Sequence, residues 1–391
     1  MRILCLLTDG FGLSGGIAQF NRDLLRAMAS SPEVTELVAL PRNLDGPVGP
    51  MPGKLIYETA AAGGKWKYAF RLFRLLAAGP RFDLIVCCHL NLQPLALTAR
   101  LATGAPVLLV LHGIDAWQQP SGLARRFAIR RADWVAAVSQ VTLDHFLRWA
   151  RIDRARTAVL PCCVDLTRFT PGSPQPSLVA RHRLEGATVL LTLGRQSPTE
   201  RYKGFDEVIA ILGRLRQRVP GLCYVIAGTG ADRPRLEAKA RECGVLDAVR
   251  FTDFVPDSDI VDLYRCARAF VLAGYGEGFG IVLLEAMACG IPAVASTLDG
   301  SFEAIGGGRL GIAADPRDPE SLSQAILAAL ERPRGVRPAG LDYFSYEQFK
   351  DRVYRLLPRI VAPARDARAR PRATIAHGPA AEERDKDSAR G

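Results

Sequence analysis

The sequence predicts an α/β protein of two doubly wound, Rossmann-like domains facing each other across a cleft. Three observations carry that expectation. Short apolar runs alternate with helix-length amphipathic segments, the alternation breaks once near the middle, and 391 residues are enough for two domains with cores of their own.

The first series opens with RILCLL, continues with IAQFNRDLLRAMA, whose apolar residues return at helical spacing, and reaches VTELVAL. DLIVCC, PVLLVL and WVAAV follow, each with a helix-length stretch behind it. Uninterrupted apolar runs joined by helices indicate parallel strands covered on both faces. In LPCCVDLTRFTPGSPQPS the pattern gives way to Pro, Ser and Gly, and ATVLLTLGR opens a second series: CYVIAG, AVRF, AFVLAG and PAVAS. The boundary is expected within residues 168–185, giving domains at 1–170 and 171–344. YFSYEQFKDRVYRLLPRI predicts a helix within 345–361, capped by Ser345 and stopped at Pro358. Residues 362–391 lack periodicity and predict a disordered tail.

An apolar content of 48% excludes disorder of the whole chain. The run from Ile3 to Leu7 is too short for a secretory core, and nothing approaches a membrane-spanning stretch, so a cytoplasmic protein is expected. Nine scattered cysteines, with vicinal pairs Cys87-Cys88 and Cys162-Cys163 but no C-x-x-C, predict reduced and mostly buried thiols. The five histidines do not cluster, which gives zinc no support. The net charge of +11 is uneven: residues 1–171 hold 20 Lys/Arg against 12 Asp/Glu, whereas residues 172–361 hold 24 against 23. A basic first half suits an anionic partner, a phospholipid leaflet or nucleic acid.

Several segments can carry chemistry. Gly15 and Gly16 stand just before a helix, where unobstructed N–H groups can approach an anion; an empty tight turn is the alternative. LGRQSPTERYKG follows the second domain's first strand, so Arg195 and Lys203 can converge on a diphosphate, or simply be solvated surface charge. VIAGTGADRP starts like a dinucleotide fingerprint but has Arg233 at the third glycine. Asp257 and Asp259 have a metal-binding D-x-D spacing, yet they precede the apolar-periodic IVDLYRCA, so helix capping by Asp257 or Ser258 explains them more simply. In GYGEGFGIVLLEAMACGIP, Glu277 lies on a glycine-rich loop after a buried strand, and Glu285 lies among Leu283, Leu284, Ala286 and Met287 on a helix. A carboxylate there needs hydrogen-bond donors, and a ribose diol offers two; a backbone group or an internal arginine would also serve.

The strand, the glycine loop, the two glutamates with seven residues between them and the following EAMACGIPAVAS resemble the E-x7-E signature of the retaining glycosyltransferases of family 4, which have the GT-B fold. The early Gly15-Gly16, LHGID with His112, AVS ending at Ser139, LGR with YKG, and AGTG agree with it over roughly residues 1–358. The resemblance implies a nucleotide-diphosphate sugar across the second domain, with Arg195 and Lys203 on its phosphates, Glu285 on the ribose hydroxyls and the backbone near Val255 at the base. Glu277 and the amides of Gly278, Phe279 and Gly280 would hold sugar hydroxyls, and Ile281 and Val282 would offer helix-start amides to the phosphate. Gly16 would close on the diphosphate, and His112 would reach the sugar near the breaking bond. It also implies that no metal or other cofactor is required, that Glu277 positions rather than attacks, and that the helix at 345–361 returns to the first domain. PCCVD departs from the family's Pro-Asn-Gly-[Val/Ile]-Asp: Cys162 and Cys163 replace Asn and Gly, while Asp165 keeps its place.

KWKYAFRLFRLLAAGPRF puts Trp66, Phe70, Phe73 and Ala77 on one helical stripe and Lys67, Arg71 and Arg74 beside it; ARRFAIRRA adds Arg125, Arg126, Arg130 and Arg131. Such segments pack on a core with a solvated basic face, or lie on an anionic leaflet. Together with the basic first half they favour peripheral attachment at the cytoplasmic face of a membrane and a lipid-linked or saccharide acceptor over nucleic acid, for which no reading module appears. The donor is expected to be GDP-mannose or a UDP-hexose, and the product a cell-surface polysaccharide or glycolipid. An epimerase of the same architecture, or an inactive membrane-bound nucleotide-sugar-binding protein, are the competing readings.

Overall fold

A computed structural model describes residues 1–12, 14–79 and 81–369, with side chains through residue 362. Thirteen strands fall into two sheets whose pairings are all parallel among the described residues. The first holds β1 (Arg2–Leu7), β2 (Glu36–Pro41), β3 (Leu55–Tyr57), β4 (Leu84–Cys87), β5 (Val107–Leu111), β6 (Trp134–Ala137) and β7 (Thr157–Val159), in the order β3-β2-β1-β4-β5-β6-β7. The second holds β8 (Thr188–Leu193), β9 (Leu222–Ala227), β10 (Val249–Phe251), β11 (Ala269–Leu272), β12 (Ala293–Ser296) and β13 (Ile312–Ala314), in the order β10-β9-β8-β11-β12-β13.

Alternate residues of one strand meet different helix layers, which is why these runs are apolar throughout. Ile3, Cys5 and Leu7 join one core while Leu4 and Leu6 join another, and in β8 Val189 and Leu191 part from Leu190 in the same way. Helices α1 (Gly16–Ser30), α2 (Lys65–Ala77), α3 (Gln93–Thr103), α4 (Leu123–Ile129) and α5 (Gln140–Ala150) cover the first sheet. After α6 (Pro176–Arg181), the second is covered by α7 (Phe205–Arg218), α8 (Arg233–Glu242), α9 (Ile260–Cys266), α10 (Ile281–Ala288), α11 (Ser301–Ala304) and α12 (Pro319–Glu331).

The last helix, α13 (Tyr346–Ala369), departs from the sequence expectation. It neither stops at Pro358 nor gives way to disorder at 362; residues 370–391 lie outside the described part of the chain. Its apolar face explains the difference: Phe349, Val353, Leu356, Leu357, Ile360 and Val361 are buried in the core shared with α1, where the Phe20 and Phe349 rings meet edge to face at 5.6 Å. That packing outweighs the cost of a proline inside a helix. The Ser345 hydroxyl accepts from the Gln348 amide at 3.3 Å at its start.

In both sheets the strand order reverses beside the first strand, between β1 and β4 and between β8 and β11. Ligands of open parallel sheets bind outside the carboxyl ends at such points. The loops that leave them follow β1 and β4 in the first domain, and span 194–204 and 273–280 in the second.

Candidate active site

The loop after β8 carries both predicted cations. The Arg195 side chain is 72% exposed and is held by Glu200, five residues on, through a two-nitrogen contact. Lys203 closes a single 3-10 turn at Arg201–Lys203 and is only 17% exposed, with its Nζ 2.7 Å from Glu277 Oε1. Burial works against the lysine charge, and the Glu277 carboxylate more than offsets it, so Lys203 sits above the ordinary lysine range. Gly204 follows at φ +82°, with space for a Cβ only 2.1 Å from the Ala273 carbonyl oxygen. Glycine is required there twice, for backbone angle and for contact between the two loops.

The loop after β11 brings Glu277 to Lys203. The Tyr275 amide donates to the Tyr202 carbonyl at 2.9 Å, which zips the two loops together. The Glu277 amide donates to Asp299 Oδ2 at 2.8 Å, and the Glu277 carbonyl accepts from the Gly300 amide at 2.9 Å. Gly278 lies against the first domain: a Cβ there would fall 1.8 Å from the His112 carbonyl oxygen. Phe279 is buried against Phe344, and Gly280, at φ +89°, leads into α10 at Ile281 and Val282.

Glu285, in the second turn of α10, is answered by a hydroxyl rather than a cation. Its Oε2 accepts from Tyr264 at 2.7 Å. Burial pushes this carboxyl up to about 7, against the pull of the Tyr264 hydroxyl and of Arg168. Arg168 in turn donates to the Asp257 carbonyl at 2.8 Å, tying the end of the first domain to the β10–α9 connection, where Val255 is half-buried in the shared core. Asp257 and Asp259 each face an arginine, Arg168 at 3.7 Å and Arg181 at 2.7 Å. Neither side chain caps α9, which corrects the capping expectation: the arginines claim the carboxylates. The glycines of VIAGTG have a structural reason as well, since a Cβ on Gly228 or Gly230 would strike the 194–196 backbone.

The first domain contributes two predicted features. Gly15 and Gly16 begin α1, and among the described residues a Cβ on either would meet nothing within 4 Å, so they leave the space beside this helix start open. His112 is half-buried, and the loss of water around its ring pushes it down to about 4, leaving a neutral imidazole at pH 7. Its Nε2 lies 2.8 Å from the Cys88 carbonyl and must donate to it, so Nδ1 is left as an acceptor. Cys162 and Cys163 are buried; the Cys163 thiol contacts Asp23 at 3.6 Å, and the following Val164 amide donates to the Phe344 carbonyl at 2.9 Å. Asp165 accepts from Thr167 and from the Arg168 amide, closing the turn that presents Arg168.

The structure therefore joins Lys203, Glu277, Gly278 and His112 in one neighbourhood and sets Glu285 with Tyr264 and Arg168 in another. Sequence reasoning missed Tyr264, Asp299 and Arg168. Asp299 before Gly-Ser is a recognisable turn signal; Tyr264 reads only as a core aromatic.

The aromatic stripe of α2 does not serve the core. Tyr68 and Leu72 face inward, while Trp66, Phe70 and Phe73 are 80%, 63% and 50% exposed. On α4, Leu123 and Phe127 are exposed too, with Arg131 over the Phe127 ring at 4.7 Å. The sequences of α2, α3 and α4 contain no acidic residue. Among the described residues no helix is long and apolar enough to cross a membrane.

Comparison with known proteins gives the family and the fold. Residues 14–168 match the model of glycosyltransferase family 4 and residues 178–341 that of the group 1 glycosyl transferases. A D-inositol 3-phosphate glycosyltransferase of Salinispora arenicola is 30% identical over 326 residues, 74% of this chain and 70% of that one. Another, of Geodermatophilus obscurus, is 38% identical over 225 residues, 54% of this chain and 48% of its own length. A GDP-mannose-dependent phosphatidylinositol monomannoside mannosyltransferase of Mycobacterium tuberculosis is 32% identical over 257 residues, 62% of this chain and 66% of that one. The chain spans about half the length of several of the curated relatives it matches. Two solved structures share the fold: Anabaena HepE in complex with UDP and glucose (TM-score 0.69, 19% identity, 92% of this chain and all of that one) and the sucrose-phosphate synthase of Thermosynechococcus elongatus (0.74, 21%, 93% and all). The two family matches fall in order on the two parallel-sheet domains, with the paired glutamates inside the second, and the chain belongs to glycosyltransferase family 4, on the GT-B fold.

Proposed function

We propose that the protein is a retaining, metal-independent hexosyltransferase that moves mannose or a similar sugar from a nucleotide-diphosphate sugar to a lipid-linked or saccharide acceptor. The observation that carries this reading is the Lys203–Glu277 pair, 2.7 Å apart where the second domain's two switch-point loops meet the first domain. A donor diphosphate laid there would be met by Lys203 and Arg195, by the open start of α1 at Gly15 and Gly16, and by the first amides of α10 at Ile281 and Val282. Fixed cations and helix starts in a cleft stabilise charge as it grows on the leaving diphosphate. Glu277 and the amides of Gly278, Phe279 and Gly280 would hold the sugar, with the His112 Nδ1 and carbonyl on its other side. Glu285 would take the ribose diol, and the backbone at Val255 the base. In this reading the acceptor attacks from the face that the diphosphate leaves, a diphosphate oxygen takes the acceptor proton, and no carboxylate forms a bond to the sugar.

The exposed aromatic residues of α2 and α4 amid arginine and lysine support a peripheral contact with the anionic cytoplasmic leaflet, and with it a lipid-borne acceptor. Incubation with GDP-mannose and UDP-hexoses, membrane lipid extract and a chelator tests the reading. It expects transfer that survives chelation, with the donor's anomeric configuration kept in the product. Inversion, loss of transfer with the chelator, or release of an epimerised donor without any acceptor would refute it.

A further inference from the structure

One short turn of the second domain reaches both the sugar loop and the first domain. Asp299, which is buried, accepts from the Glu277 amide with Oδ2 at 2.8 Å, and with Oδ1 from the Ser301 amide at 3.0 Å and hydroxyl at 2.6 Å. Gly300 donates to the Glu277 carbonyl, so the peptide groups on either side of Glu277 are held by the same turn. A Cβ on Gly300 would fall 2.0 Å from the Gly278 carbonyl oxygen, so nothing larger than glycine fits against the loop. Three residues further on, Glu303 extends across the cleft: its Oε2 accepts from the Gln140 amide at 2.8 Å and its Oε1 from the Val141 amide at 2.9 Å.

Those amides are the first two of α5, which lacks intrahelical partners for them. Ser139 caps the third amide, with its Oγ accepting from Thr142 at 3.1 Å. The start of this first-domain helix is thus completed by a carboxylate from the other domain, in the place where the helix dipole favours negative charge. We propose that Glu303 is a positioning residue: by capping α5 across the cleft it holds the domains closed, and through the Asp299–Gly300 turn it sets the Glu277 loop against His112. The closed arrangement and the alignment of the sugar-binding amides are then one event.

The consequence for turnover rests on the transferase reading, whereas the consequence for domain closure does not. Two variants of the full-length protein separate them. Glu303→Ala removes the acceptor. Gln140→Pro removes one donor at the first position of a helix, where proline is tolerated, after a Ser139 already extended at φ −150° and ψ 158°. Small-angle scattering with and without UDP or GDP is expected to show both variants more open than the parent. Nucleotide affinity stays within about twofold, and kcat falls about tenfold or more with little change in donor KM, as loss of a hydrogen bond to a charged group allows. The double variant is expected to lose no more than the worse single one, because the bond that Gln140→Pro deletes is one of the two that Glu303→Ala removes. Unchanged scattering in both variants, or losses that add, would overturn the proposal. A parent protein that transfers no sugar, yet opens on Glu303→Ala, would refute the transferase reading and leave the closure intact.

Discussion

Glu285→Gln is expected to stabilise the second domain while it abolishes tight nucleotide binding. Burial holds the Glu285 carboxyl at about 7 against an ordinary 4.5. At 1.36 kcal/mol per pH unit, ionising it in the folded protein costs about 3 kcal/mol more than ionising it in the unfolded chain. The folded state keeps this proton more tightly, so the penalty is absent below about pH 4.5, grows as pH rises toward 7, and is complete above that. Glutamine keeps an oxygen for the Tyr264 hydroxyl and carries no charge. At pH 8 the variant should therefore gain about 1–3 kcal/mol, the lower part of the range allowing for imperfect fit of the new amide, and at pH 5 the gain should nearly vanish. Thermal unfolding of both proteins at the two pH values measures it. Calorimetry with UDP or GDP supplies the functional arm: parent affinity weakens as pH falls below about 7 and the carboxylate takes up its proton, and the variant binds weakly at every pH. A variant no more stable than the parent at pH 8, or a stability difference that does not change with pH, would refute the reasoning.

Three further outcomes follow from the same geometry. Lys203→Ala leaves Glu277, 16% exposed, without its cation; turnover should drop about 10²–10³-fold, the size seen when one preorganised charge-stabilising group is removed, and near-parent turnover would exclude Lys203 from the site. Gly278→Ala puts a methyl where only 1.8 Å separates it from the His112 carbonyl oxygen. Transfer should be lost while nucleotide affinity, read by calorimetry, changes only a few-fold; unimpaired transfer would show that the two loops need not touch. Replacing Trp66, Phe70 and Phe73 together with alanine should abolish co-sedimentation with phosphatidylglycerol vesicles and shift stability by no more than about 0.5 kcal/mol per residue. Equal sedimentation of parent and variant would refute the membrane contact.

Long elements were legible in the sequence because their periodicity is local, and short or mutually dependent ones were not. RILCLL and AFVLAG read as buried strands and are β1 and β11, but β3, β7 and β13 have three residues each and, unlike the equally short β10 in AVRF, carried no strand signal. The extension of α13 past Pro358 was unreadable for another reason: its support is the buried surface of α1, more than 300 residues away in sequence. At the site, the glycines around Glu277 announced a tight loop, although not that Gly278 meets a carbonyl of the other domain. The charge of α2 was visible, but its direction was not. A stripe of Trp66, Phe70 and Phe73 has the same period whether it faces the core or water, and only Tyr68 and Leu72, packed inward, decide it.

The charges of the proposed site are paired with one another, which bears on how its two cations would divide the work. Lys203 and Arg195 each hold a carboxylate before any ligand arrives, but in different surroundings: the Lys203 side chain is 17% exposed and wedged between two zipped loops, while that of Arg195 is 72% exposed. On the proposed reading, a diphosphate entering the cleft would find the ammonium fixed, its ordering cost met by folding, and could share it with Glu277. The guanidinium must instead leave Glu200 or carry it along, exchanging one solvated ion pair for another, a difference worth about 0–1 kcal/mol in exposed surroundings. Lys203 is thus suited to stabilising charge that appears only in the transition state, and Arg195 to drawing the donor in. Loss of Lys203 should register in kcat, and loss of Arg195 mainly in KM with a steeper dependence on salt.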